Sequence, residues 1–418
     1  MSEKPDFLTL ETVDAALTRL CELWRPEPRQ ELLDTAWAEG RVLAEAVTSP
    51  ADLPAFTRSA MDGFAVRAAD TLGASPSVPA YLALVEAVTI GEIPRAAVGP
   101  GQAAPISTGA MLPPGADAVV MIEHTQPLGE GEIEVFSAVA PGEHCIQIGE
   151  DARGGELLLE SGHRIRAQDI GALLAAGRTR IPARVRPTVG IVATGDELVE
   201  PAGEPRLGQV RDINTYILAA MLREAGARPV ALGISRDDPQ ELLALARRGL
   251  ESCDLLLLVA GSSVSARDHT HRVVAALGSP GVLVHGLAVK PGKPTILGLC
   301  QGKPVIGLPG NPVSAFLVAH RVVLPLLARQ WMGTQGIAAS VPAVLTASIA
   351  SSTGREDLVP VRLSRGEGGF RAEPIFGKSN LISTLSRADG VVEVPLNLNG
   401  YTKGTAVRVT LLSGGGGS

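Results

Sequence analysis

From Arg186 onward, apolar runs with strand character alternate with runs of helical periodicity, and this alternation constrains the fold more than any other feature of the chain. Pro187–Ala193 reads as a strand, Asn214–Ala225 as a helix ended by Gly226, and Pro229–Ile234 as the next strand. A helix over Asp238–Arg247, a strand over Asp254–Val259, a helix over Ala266–Leu277 and a strand over Val282–Val289 continue the pattern. Repetition of this kind implies a parallel, doubly wound sheet, whose ligands bind outside the carboxyl ends of the strands. Three loops should open on that edge: Ala260–Asp268, Lys290-Pro-Gly-Lys293-Pro294 and Leu308-Pro-Gly-Asn-Pro312. They supply backbone N–H groups, hydroxyls, two amines and a carboxylate, which suit a phosphorylated, metal-assisted ligand.

The flanks differ. Val13, Ala16, Leu17, Leu20 and Leu23 fall at helical spacing before Pro26, so Thr12–Trp24 should be an amphipathic helix. Between Pro54 and Pro141 helical periodicity gives way to Pro, Gly and β-branched residues, as in a small β-rich module. Helical character returns at Ala167–Ala176, which suggests a module inserted into a helical domain. After a helix from Val313 to about Gln330, segments such as Pro342–Ala347 and Ala406–Leu411 suggest a terminal β-domain.

At 418 residues the chain should hold two or more domains. A hydrophobic fraction of 45% with 19% charged residues supplies several cores. A net charge of −7 without a basic run argues against nonspecific nucleic-acid binding. The N-terminus lacks a charged-then-apolar signal pattern, and no apolar stretch approaches the roughly 20 residues of a membrane helix, so no membrane association and a cytoplasmic location are expected. Cys21, Cys145, Cys253 and Cys300 form no Cys-x-x-Cys pair and should be reduced structural residues. The terminal Gly414–Ser418 resembles a flexible linker or tag.

Taken singly, the polar clusters remain ambiguous. Thr194, Gly195, Asp196 and Glu197 close the first strand, where a carboxylate could hold a divalent ion, yet a Gly-containing turn with capping acids reads equally well. Lys290 and Lys293 could clamp an oxyanion, although solvated turn lysines are commoner. His269 and His271, two apart on a helix, would not share a face as a metal pair would. His144 and Cys145 lack a third partner and read as an ordinary loop pair. Hydrolase motifs of the Gly-x-Ser-x-Gly and His-Glu-x-x-His types do not occur.

The order of motifs is more specific. Ser59-Ala-Met-Asp-Gly-Phe-Ala65, Ser107-Thr-Gly-Ala110, Pro114–Val120, Gly149-Glu-Asp151, Thr194-Gly-Asp-Glu-Leu198, Lys290–Pro294 and Leu308–Ser314 occur in the sequence found in molybdopterin molybdenumtransferases. The chain resembles the MoeA family, which is similar to the E domain of gephyrin, from the N-terminal helix to the terminal β-domain, where Gly354-Arg355 and Ala388-Asp-Gly390 also fit.

The resemblance implies an α/β multidomain fold with four parts. These are a helical scaffold (residues 1–52 and 142–184), an inserted β-module (53–141), a parallel α/β molybdopterin-binding domain (185–333) and a C-terminal β-barrel (334–413). It further implies a homodimer that takes adenylylated molybdopterin and molybdate, inserts molybdenum and releases AMP in a Mg²⁺-dependent step, with a molybdopterin adenylyltransferase as its partner. Carried over by motif, Asp62, Thr108, Asp151, Glu197, Asp237 and Asp268 would be catalytic, and Glu197, Asp237 and Asp268 would hold the metal. Thr194, Gly195, Ser263, Ser265, Lys290, Lys293, Pro309 and Asn311 would bind substrate. A non-catalytic, gephyrin-like scaffold is the alternative implied by the same fold. Departures exist: the family's Asn-Val-Arg is His144-Cys145-Ile146 here, which removes a cation, and Arg153 or Arg267 would be the substitutes. The family's Asp-Ser-Asn is Asp212-Ile213-Asn214, and the Ala260–Asp268 loop also differs.

Overall fold

The computed structural model describes residues 10–260, 264–333 and 339–412; the side chains of residues 264–268 fall outside the description as well. The chain divides into two compact units, one of residues 32–183 and the other of residues 1–31 with 184–418.

The first helix, α1 (Val13–Leu23), starts where the Thr12 hydroxyl accepts from the Ala15 amide. Its buried stripe of Val13, Ala16, Leu17 and Leu20 joins a core with Ile191, Leu257, Leu287 and Trp331. The helix therefore groups with the α/β unit and not with residues 142–184, because its apolar partners lie there.

Within residues 32–183, a six-stranded sheet is built from β1 (Gly63–Val66), β2 (Ala80–Leu84), β3 (Gln102–Ile106), β4 (Ala118–Met121), β5 (Thr125–Leu128) and β6 (Glu132–Val135), in the order β4-β1-β3-β2-β6-β5. All neighbours are antiparallel except β2 and β3. Alternate residues serve two cores, with Val66, Ala103 and Val120 on one face and Ala65, Ala104 and Val119 on the other. This period of two is what a sheet covered on both faces requires. A third core of Leu43, Val47, Ile165, Leu173 and Ile181 gathers around α2 (Ala167–Ala175). At the start of α2, buried Asp169 accepts from the Arg166 amide at 2.8 Å, from the Arg166 guanidinium and from His163 Nε2 at 2.7 Å. The Arg166 guanidinium holds its carboxyl well below the usual carboxylate range, with His163 reinforcing the effect.

The second unit contains β7 (Thr188–Thr194), β8 (Arg228–Ser235), β9 (Leu255–Ala260), β10 (Pro280–His285), β11 (Ile296–Cys300) and β12 (Lys303–Pro309), in the order β8-β7-β9-β12-β11-β10. The helices are α3 (Asn214–Glu224), α4 (Pro239–Ser252), α5 (Val264–Ala276) and α6 (Pro312–Met332). Strands β8, β7, β9 and β12 are parallel, as the alternation predicts. Strand β11 runs antiparallel to both neighbours, so the sheet is mixed. Gln301 and Gly302, at φ 52° and 75°, turn β11 directly into β12, leaving no length for the crossover a parallel connection needs. Registers Thr194↔Ser235, Ala260↔Pro309 and His285↔Ile296 place the loops after β7, β8, β9, β10 and β12 at one edge. All six residues of β9 are buried, which explains their continuous hydrophobicity.

Helix α6 has the length and apolar content to cross a bilayer, contrary to the reading of the sequence. Val313, Leu317, Val318, Val322, Val323, Leu326 and Leu327 are instead buried in the core. Its Arg321 pairs with Glu356 at 2.9 Å and with Asp14 at 2.9 Å.

The C-terminal strands β13 (Ser340–Leu345), β14 (Glu356–Gly366), β15 (Gly369–Pro374), β16 (Gly390–Val394) and β17 (Ala406–Leu411) follow the order β14-β15-β13-β17-β16, and β16 pairs back to β14. That pairing closes a β-barrel around Leu345, Val361, Ala372, Val394 and Val409.

Candidate active site

At the carboxyl edge of the α/β sheet, β7 ends in Thr194, which is buried with an Oγ1 that has no hydrogen-bond partner among the described residues. Gly195 follows, its amide donating to the Ser235 carbonyl at 3.1 Å. A side chain here would put its Cβ 2.6 Å from Glu197 Oε2 and 2.8 Å from Oε1, so the Glu197 carboxylate lies directly over the glycine. On the neighbouring strand the Asp237 amide donates to Asp196 Oδ1 at 3.2 Å, tying the two loops together. Asp237 Oδ1 is itself buried without a donor. Two acidic loops therefore adjoin, and one carboxylate oxygen has no donor among the described residues.

Along the edge, Ala260, Thr270, Pro294, Ile296, Pro309 and Asn311 are among the residues lining a cavity of about 150 Å³. The Leu308–Pro312 loop is held from two sides. Asn214 Nδ2 donates to the Gly310 carbonyl at 2.7 Å, and Asn311 Nδ2 donates to Ser379 Oγ at 3.1 Å. Asn214 Oδ1 is a further buried acceptor without a partner. Thr194 and Asp237 with Asn214 make three orphaned polar groups on one edge, and buried groups of this kind normally find partners.

Lys290 and Lys293 flank Gly292 and are both exposed. Lys290 Nζ lies 3.6 Å from Asp357 Oδ2, whose other oxygen takes Arg355 Nε at 3.0 Å. Two cations share one buried carboxylate, so positive charge remains for an anion. The sequence reading does not single out Asp357 or Ser379; their signal is three-dimensional, arising where the barrel meets the 290 and 310 loops.

In residues 32–183, Asp62 Oδ1 accepts from the Thr108 amide at 2.8 Å and from its hydroxyl at 3.1 Å, so these two predicted residues meet. Asp151 is exposed on a separate turn, its amide bonded to the Leu53 carbonyl at 2.9 Å. Ser263 lies outside the described residues, as do the side chains of Ser265 and Asp268. Burial, and secondarily Asp117, push the Cys145 thiol up to about 11, and His144 Nδ1 is taken by the Val119 carbonyl at 2.9 Å; Cys145 lies on a short strand with Ile146 and not in a loop. His271 stacks on His285 at 4.4 Å.

With the geometry set out, comparison with known proteins is decisive. Residues 11–177 match the MoeA N-terminal region (domain I and II), residues 190–329 the probable molybdopterin binding domain, and residues 342–412 the MoeA C-terminal region (domain IV). The chain belongs to the MoeA family. It is 32% identical to a molybdopterin molybdenumtransferase of Bacillus subtilis, covering 97% of this chain and 95% of that protein. It is 33% identical to molybdopterin molybdenumtransferase 2 of Mycobacterium tuberculosis, over 89% of this chain and 92% of the relative. A crystal structure of the MoeA protein of Pyrococcus horikoshii superposes with a TM-score of 0.84 at 31% identity, covering 96% of this chain and 100% of that one. This chain thus shares the multidomain α/β and β-barrel architecture of MoeA proteins, and relatives about a third identical over nearly its whole length are named molybdopterin molybdenumtransferases.

Proposed function

We propose that the protein is a molybdopterin molybdenumtransferase that takes adenylylated molybdopterin and molybdate, inserts molybdenum at the dithiolene and releases AMP. The observation that carries this reading is the buried, donorless Asp237 Oδ1 beside the Gly195–Glu197 turn. Carboxylate oxygens are hard ligands that suit Mg²⁺, which is usually bound by one or two carboxylates together with substrate phosphates. Among the described residues there is no cluster of three or more His, Cys, Asp or Glu able to hold a metal, and a phosphate-sharing site does not need one. Glu197 and Asp237 would hold the ion, with Asp268 as the remaining candidate. Mg²⁺ there would neutralise charge developing on the phosphoryl oxygens as the pyrophosphate bond breaks.

Molybdate is a tetrahedral dianion, and the exposed amines of Lys290 and Lys293 would attract it, with Asp357 limiting the freedom of Lys290. The substrate must come from a reaction that adenylylates molybdopterin. We assign Asp62, Thr108 and Asp151 to the same reaction, with the chain acting as a homodimer, and its location as cytoplasmic.

The test is AMP release from adenylylated molybdopterin with Mg²⁺, with and without molybdate, by the wild type and by Glu197→Ala. Molybdate-dependent release that the variant loses by about 100-fold or more, as loss of a charge-stabilising group entails, supports the reading. Tight pterin binding with no turnover in the wild type rejects it in favour of a scaffold.

A further inference from the structure

The strand that leads into the Ser59–Asp62 turn carries a cation whose Nε lacks an acceptor among the described residues. Arg58–Ser59 pairs antiparallel with Cys145–Ile146, and the register sets Ile146 directly opposite Arg58. On its other side Arg58 bridges to Met111. Directly opposed residues in an antiparallel pair share one face, with Cβ atoms roughly 4.5–5.5 Å apart. The Arg58 side chain is thus flanked in the ladder by two apolar residues. It is half-buried, its Nε is shielded from solvent without an acceptor, and among the described residues it has neither an ion pair nor a side-chain hydrogen bond. A guanidinium stays charged at any physiological pH. Shielding its Nε between apolar neighbours without an acceptor leaves a charged donor that an anionic ligand would satisfy.

The position fits substrate. Arg58 precedes the Ser59–Asp62 turn, and the same segment bonds to the 108–112 strip through Ser59 to Ala110 at 3.0 Å, Gly109 to Ser59 at 2.8 Å and Thr108 to Asp62.

We propose that Arg58 is a phosphoryl-binding residue, supplying from the facing strand the positive charge that Ile146 does not. The ligand class, the pyrophosphate-linked oxygens of an adenylylated substrate, rests on the function proposed above. The residue assignment rests on the register.

The experiment is calorimetric titration of the full-length protein with inorganic pyrophosphate, comparing wild type, Arg58→Gln, Arg58→Gln with Ile146→Arg, and Ile146→Arg alone. Arg58→Gln should weaken binding about tenfold or more, as loss of a charge-assisted contact does. Adding Ile146→Arg should restore affinity to within about threefold, because the register places the new guanidinium opposite the old one. Ile146→Arg alone should tighten binding, and it keeps the proposal testable if Arg58→Gln fails to fold. Unchanged affinity in Arg58→Gln, absence of rescue, or no tightening by Ile146→Arg overturns it, as does a wild type that binds no pyrophosphate. A wild type that binds pyrophosphate through Arg58 but releases no AMP would reject the insertase reading and leave this assignment standing.

Discussion

Glu197 occupies the space that a side chain at residue 195 would need. Alanine there would press its Cβ to within 2.6–2.8 Å of three carboxylate atoms. Because these atoms form the mobile end of a side chain, the carboxylate should move and the fold should hold. Gly195→Ala is expected to lower the AMP-release kcat about 100-fold, the order of loss that a misplacement of about 1 Å causes, with a thermal midpoint near that of the wild type. A normal kcat would remove Glu197 from the chemistry. The motif Thr194-Gly-Asp-Glu-Leu198 marked the end of a strand, where β7 does end, whereas Asp237 came only from the family resemblance. The sequence did not reveal that Asn214 holds Gly310, or that Ser379 holds Asn311. Those bonds span 96 and 68 residues, and a polar residue at a helix start looks the same whether it caps or reaches across.

The loop carrying both lysines is an element fixed by its glycine. Gly292 is at φ 122°, and a Cβ would lie 2.2 Å from Val318 Cγ2 in α6 and 3.3 Å from Val289 Cγ1. Val318 is buried in the core and cannot retreat into solvent. Gly292→Ala should therefore destabilise the protein by about 1–3 kcal/mol, as overpacking does, read as a lower urea midpoint. Helix α2 makes a different prediction. Asp169 has a folded-state pKa depressed below its ordinary value of 3.8 by Arg166 and His163. A depressed carboxylate adds stability that is complete above pH 3.8 and is lost as pH falls through the folded value. Asp169→Asn should cost about 1–3 kcal/mol at pH 7, as a hydrogen-bonded charge does, and urea titrations below pH 3.8 should show the gap closing. At this scale the alternation of strands and helices was readable, and β11 was not. Its five residues contain a glycine, and they reach β12 through a turn whose positive φ angles fall on Gln301 and Gly302 and not on a familiar Asn-Gly pair.

Across the whole molecule, hydrophobic cores segregate by unit. Those around β1–β6 and α2 draw only on residues 38–181, whereas the cores of the α/β sheet and barrel use residues 13–24 and 189 onward. Calorimetry should show two unfolding transitions, and Asp169→Asn should lower only one of them; a single transition displaced as a whole would mean that the units melt together. The sequence suggested four parts but placed α1 with residues 142–184, since an amphipathic stripe says that a helix has a partner without saying which. The partners are distant. Leu20 and Trp24 share a core with Trp331, and Asp14 meets Arg321. During translation, at roughly 5–20 residues per second, the first helix emerges on the order of half a minute before the segment that covers it. Residues 32–183 have all their core partners in that interval, while the apolar stripe of α1 must wait for Ile191, Leu257 and Leu287 and, last of all, for Trp331. The newborn chain thus carries a hydrophobic helix whose covering is completed only when α6 leaves the ribosome, a handle for chaperones until then.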